Sequence, residues 1–224
     1  MTQNLLTAAR RAAPPVLRKK AAHKYSYGRC SLHYMVTVKK WRQHFRGVVI
    51  SIFQNAKRFG LPVTFDPIEQ YMSGFEVQYH EITDLPSDLL ARYRAPDEIA
   101  EGWNFIDQGI IHIFYDPTMQ PERIRMTIAH EWGHVIQRLD GEFMADMEAM
   151  RDTEERDAII ESLAYKFAND YLMPEPVVRH KWLELQKWHE VLPNEHVASI
   201  AHTFSVSFTA MQNQLSYCQL RIQQ

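Results

Sequence analysis

Thr127-Ile128-Ala129-His130-Glu131-Trp132-Gly133-His134 reads as HExxH inside a helical apolar pattern. Side chains four apart on a helix lie on one face, one turn above each other. His130 and His134 therefore present two imidazoles to a single ion such as Zn²⁺, with Glu131 beside them to handle a proton. That arrangement points to metal-assisted hydrolysis of a peptide bond. Five such letters also occur on ordinary charged helices, so the neighbouring sequence has to decide.

Upstream, Asp116-Pro117 turns the chain and Pro121 suits the first position of a helix. Ile124, Ile128, Trp132, Ile136 and Leu139 then form an apolar ridge, while His130, Glu131 and His134 lie away from it. The pattern predicts a helix with one buried side, closed by Gly141 as its C-cap. Residues 140–157 are strongly acidic with several Met and read as a solvated linker. Asp152, with Glu155 three residues on, forms a capping box for the next helix. Ala164, Phe167, Ala168 and Leu172 give that helix its buried side, which lets Glu161 point across to the histidines. A catalytic zinc takes three protein ligands and keeps one position open, and His₂Glu is an established set. Glu161 is the candidate third ligand; Asp157, one turn earlier on the same face, is its rival. A zinc held by His130, His134 and Glu161 polarises a scissile carbonyl and brings the pKa of water down toward about 7. Glu131 then takes the proton of that water and delivers it to the leaving nitrogen. Tyr165, one turn after Glu161, reads as a packing residue before an oxyanion donor.

Toward the N-terminus, Trp41, Phe45, Val48, Ile52 and Ala56 follow helical spacing from about Val38, and Gly60 and Pro62 end that helix. Residues 75–80 (Phe-Glu-Val-Gln-Tyr-His) alternate like a half-buried strand. The stretch 84–101, with Pro86 and Pro96, reads as loop with a short helix. Phe105-Ile106 and Ile110 to Tyr115, separated by Asp107-Gln108-Gly109, predict a hairpin. His80 and His112 fall inside strand patterns and read as structural histidines. The fold class is α+β, a small antiparallel or mixed sheet packed on the HExxH helix.

Composition bounds the rest. With 46% hydrophobic and 12% aromatic residues in a chain of 224, a sizeable core can form. Cys30 and Cys218 make no disulfide framework, which suits a reducing, cytoplasmic compartment. No apolar run approaches the length that spans a bilayer. The net charge of −2 conceals an asymmetry: residues 1–65 hold 13 Lys/Arg and no acid, whereas the remainder holds 27 acids against 12 bases. A basic start of this kind suits nucleic acid, an acidic surface or a targeting segment. Ala13-Pro14-Pro15 and the lack of apolar periodicity favour a disordered extension over 1–36, or upstream sequence before a start at Met35.

Taken together, these motifs resemble the ImmA/IrrE family of metallopeptidases. The resemblance rests on Arg125-Met126-Thr127-Ile128-Ala129-His130-Glu131 with Gly133-His134, then Glu161, Ala164 and Phe167-Ala168, then Leu172-Met173-Pro174. Ile200-Ala201, Phe204 and Val206-Ser207 resemble the helical element that follows in the family. The match runs from about residue 45 to 217. It implies a zincin-like core over 37–178, one zinc on His130, His134 and Glu161, and Glu131 as the catalytic base. It further implies cleavage of a regulatory protein, such as a helix-turn-helix repressor or an antitoxin encoded nearby, in phage, mobile-element or stress control. The long acidic insert before Glu161 and the basic extension depart from the pattern.

Residues 179–224 read as a C-terminal helical subdomain with a helix-turn-helix look. Val197, Ile200, Ala201, Phe204, Val206, Phe208, Met211 and Leu215 supply its core. Its second helix carries Gln212, Asn213 and Gln214 and no Lys or Arg, whereas phosphate contacts normally dominate DNA affinity. Packing or protein docking is therefore preferred to nucleic-acid binding. An alternative to cleavage is a binding module that sequesters a repressor or antitoxin without cutting it.

Overall fold

Alternating side chains and a two-residue turn build the sheet against which the motif helix packs. The computed structural model describes residues 32–56, 60–84, 101–186, 191–220 and 222, so the basic stretch 1–31 and most of the 84–101 loop lie outside it. Strands β1 (Glu76–Glu81), β2 (Gly102–Asp107) and β3 (Ile110–Tyr115) form one sheet in the order β1-β3-β2. β2 and β3 make the expected hairpin, antiparallel, with Asp107 opposite Ile110. Gln108 and Gly109 connect them, both at positive φ (46° and 86°), the geometry of a tight hairpin turn. β1 joins β3 in parallel, so the sheet is mixed. One face turns Ile111 and Ile113, both fully buried, toward the helices. The other stacks rings: Trp103 on Phe114 at 4.8 Å and Phe105 on His112 at 4.6 Å.

Eight helices accompany the sheet among the described residues: α1 (Leu32–Asn55), α2 (Asp66–Tyr71), α3 (Pro121–Leu139), α4 (Gly141–Glu148), α5 (Thr153–Leu172), α6 (Glu175–Gln186), α7 (Asn194–Phe204) and α8 (Phe208–Tyr217). α1 already runs at Leu32, ahead of the expected Val38, and so includes Met35. Its buried stripe is Trp41, Phe45, Val49 and Ile52; Val48 is only half-buried and Ala56 lies past the helix end. α3 begins at Pro121, as its sequence predicts.

Two expectations fail at the acidic insert. Gly141 does not cap α3: Asp140 holds that place, and Gly141 opens α4. The insert is a helix rather than a solvated linker, because Phe143 and Met147 stand four apart and both are buried. Phe143 sits edge-on to Trp41 and Phe45, with ring centroids 5.1 and 5.2 Å away. The acids occupy its outer face; their density hid the apolar pair. Asp152 caps α5 as expected, accepting from the N–H groups of Glu154 and Glu155.

α7 and α8 meet at Ser205, a left-handed residue (φ 50°) whose N–H bonds His202 O while Val206 N–H bonds Ala201 O. Seven of the eight apolar residues expected there are buried; Phe208, at the start of α8, remains 36% exposed. One hydrophobic cluster takes in Trp41 of α1, Trp132 of α3, Tyr171 of α5 and Leu215 of α8. Arg125 ties α3 to the segment before α2 and to the α7–α8 turn, donating to Val63 O (2.7 Å) and Ser205 O (3.3 Å). No helix among the described residues is long and apolar enough to cross a membrane.

Candidate metal centre and active site

α3 is not half-exposed as its ridge suggests. Burial is continuous from Thr127 to Gly133, and His130 and Glu131 are each only 2% exposed. α5 covers the histidine face and β2 lies against Glu131. The approach of α5 has a local cause. A Cβ on Gly133 would stand 2.9 Å from Ala164 Cα and 3.0 Å from Ala164 O, both backbone atoms. Only glycine lets the two helices come this close, and Ala164 keeps the opposing surface small. Glu161, three residues before Ala164, is thereby brought to the histidines.

The resulting cluster is tight. His130 Nε2 and His134 Nε2 face each other at 3.0 Å. Glu161 Oε2 lies 3.3 Å from the first and Oε1 3.4 Å from the second. A tetrahedral ion with arms of about 2.0–2.1 Å needs ligand atoms about 3.3–3.4 Å apart, which both Glu161 separations match while the two histidine nitrogens stand slightly closer. Among the described residues this is the group of three that can hold a metal ion. Asp157, the rival ligand, is paired with the guanidinium of Arg156 and is not part of it.

Burial opposes charge throughout the cluster, yet the groups set one another. Desolvation and the neighbouring His134 push the His130 pKa down. His134 is raised despite its burial, because the Glu161 carboxylate bonds and faces it. Burial would raise Glu161, but bonds from His130 and His134 hold it far below the usual carboxylate range. The cluster is thus an anionic oxygen between two imidazoles, a donor set of the kind that zinc takes.

The surroundings fix these side chains. Gln137 presents Oε1 to His134 Nδ1 at 3.0 Å, and its Nε2 donates to Ile160 O at 2.9 Å. A histidine oriented through its second nitrogen is typical of metal ligands. Trp132 Nε1 donates to the Tyr79 hydroxyl (3.1 Å), which donates to Glu69 (2.6 Å), anchoring the motif helix to β1 and α2. Tyr165 leans on the His130 ring at 4.2 Å between centroids. His80 and His112 pair with each other, Nε2 to Nδ1 at 3.0 Å, on the sheet and outside the metal-capable group.

Two neighbours of Glu131 were not singled out from sequence. Asn104 Nδ2 donates to Glu131 Oε2 at 2.7 Å, and a Cβ on Gly102 would stand 3.4 Å from Glu131 Cγ. Gln137, three residues after His134, had a signal in its i,i+3 spacing. Asn104 had a weaker one: a polar residue at an inward strand position, opposite Ile113.

Comparison with known proteins identifies the family. Residues 56–216 match the peptidase family described as the IrrE N-terminal-like domain. The radiation response metalloprotease IrrE of Deinococcus radiodurans is 38% identical over 66 residues, 30% of this chain and 20% of that protein. The chain thus matches about a fifth of that relative's length. A solved structure described as a Mycobacterium tuberculosis transcriptional regulator aligns over 78% of this chain and 46% of its own, with TM-score 0.49 and 17% identity. Membership implies a metal ion, and His130, His134 and Glu161 can hold one. With well over half of its sequence matched, the chain belongs to the IrrE N-terminal-like peptidase family.

Proposed function

We propose that this chain is a zinc-dependent intracellular endopeptidase of zincin-like architecture that cleaves a regulatory protein, such as a helix-turn-helix repressor or an antitoxin. The observation that carries it is the convergence of His130, His134 and Glu161 within 3.0–3.4 Å, with Glu131 adjacent on α3. In this reading the three converging side chains hold one zinc, which when bound supplies Lewis-acid polarisation of the scissile carbonyl and of water. Glu131 takes the proton of the attacking water and passes it to the leaving nitrogen. Gln137 keeps the His134 ring turned toward the ion. Residues 37–178 form the peptidase domain in this account. Residues 179–224 serve as a packed helical subdomain rather than a DNA reader, in keeping with Gln214, which is buried and donates to Met173 O.

The test is incubation of zinc-loaded protein with the product of the neighbouring gene, read by mass spectrometry. Cleavage by the wild type and none by Glu131→Gln, with zinc retained, supports the proposal. An intact partner held in a tight complex favours sequestration without cleavage.

A further inference from the structure

Asn104 is 8% exposed and lies on β2, the edge strand that faces the motif helix. Its Nδ2 reaches both the Glu131 carboxylate, Oε2 at 2.7 Å, and the Glu131 carbonyl oxygen at 3.3 Å. Two residues earlier on the same strand face, Gly102 has no room for a side chain: a Cβ there would meet Thr127 Cγ2 at 2.4 Å and Phe114 O at 2.8 Å. β2 is therefore pressed onto α3 where Glu131 emerges. The amide orientation is also informative. Asn104 Oδ1 is buried without a hydrogen-bond partner, an unfavourable condition for a polar atom. Turning the amide over would leave its oxygen against a carboxylate, so the donor end must face Glu131.

We propose that Asn104 is a positioning residue for Glu131. Its amide holds Oε2 and fixes the carboxylate plane, which leaves Oε1 as the oxygen that receives the proton from water. A neutral amide suits this task because it only donates toward the carboxylate. An aspartate of the same shape would set a second anion against the base. The inference rests on the peptidase reading, in which Glu131 is the base.

The test uses the zinc-loaded full chain and a proteome-derived peptide library, with kcat and KM measured on the best-cleaved peptide. Asn104→Ala is expected to lower kcat about 10- to 100-fold with KM and zinc content unchanged, and Asn104→Asp to fall below Asn104→Ala. In ¹⁵N-labelled wild type, one Asn104 side-chain amide proton is expected downfield, returning to the ordinary position in Glu131→Ala; this readout needs no substrate and no folded Asn104 variant. The proposal is overturned if that proton does not move. It is equally overturned if Asn104→Asp matches the wild type, or if Asn104→Ala keeps its kcat while Glu131→Gln is inactive. Cleavage by Glu131→Gln at the wild-type rate, or no peptide cut by the wild type, instead sinks the peptidase reading and this inference with it.

Discussion

Among the described residues, two histidine pairs hold facing ring nitrogens at the same 3.0 Å, and they differ in what stands third. His130 and His134 have the Glu161 carboxylate 3.3–3.4 Å away. His80 and His112 have the rings of Phe114 and Phe105 stacked on them, at 4.7 and 4.6 Å. Burial and the neighbouring His80 lower the His112 pKa despite the opposing charges of Asp107 and Glu76. His134 is raised against its own burial by Glu161. Proximity of two imidazoles is thus insufficient; an anion in reach of both distinguishes a packed pair from a group that can hold a metal ion.

The largest effect that tests this contrast is on metal content. His130→Ala/His134→Ala is expected to abolish zinc binding, whereas His80→Ala/His112→Ala keeps one zinc per chain, measured by mass spectrometry of the native protein. Zinc following the sheet pair would reverse the comparison. Next comes the third group: Glu161→Gln should weaken zinc by at least about a hundredfold, while Asp157→Asn leaves the affinity unchanged, as read by competition with a chelator. Gln137→Ala removes the partner of His134 Nδ1, and about 10- to 100-fold of affinity should go with it. Smallest is Gly133→Ala, where the new methyl meets the Ala164 backbone. Overpacking of about 1–3 kcal/mol should lower Tm by roughly 2–10 °C, and an unchanged Tm would mean that the α3–α5 approach does not depend on glycine.

Sequence made the two halves of the site unequally legible. His130, Glu131 and His134 share one helix, so their spacing alone placed them together. Glu161 sits on another helix, and spacing left Asp157 open; the Gly133–Ala164 contact between helices decides, because it sets which turn of α5 meets the histidines. The hairpin was readable since Gly109 marks a positive-φ turn between alternating runs. α4 was not, because four acids between 140 and 148 outweighed Phe143 and Met147 in a reading by polarity. Phe208 illustrates the converse, an apolar residue left exposed at a helix start. Asn104 escaped because its role depends on β2 lying over α3, a tertiary fact with little local trace.

X-ray absorption at the zinc edge of the zinc-loaded chain reads the ligand set proposed for His130, His134 and Glu161. A coordination shell of nitrogen and oxygen donors with two imidazoles is expected, lost in His130→Ala/His134→Ala. A sulfur ligand, more than two imidazoles, or a spectrum unchanged in that double variant would contradict it.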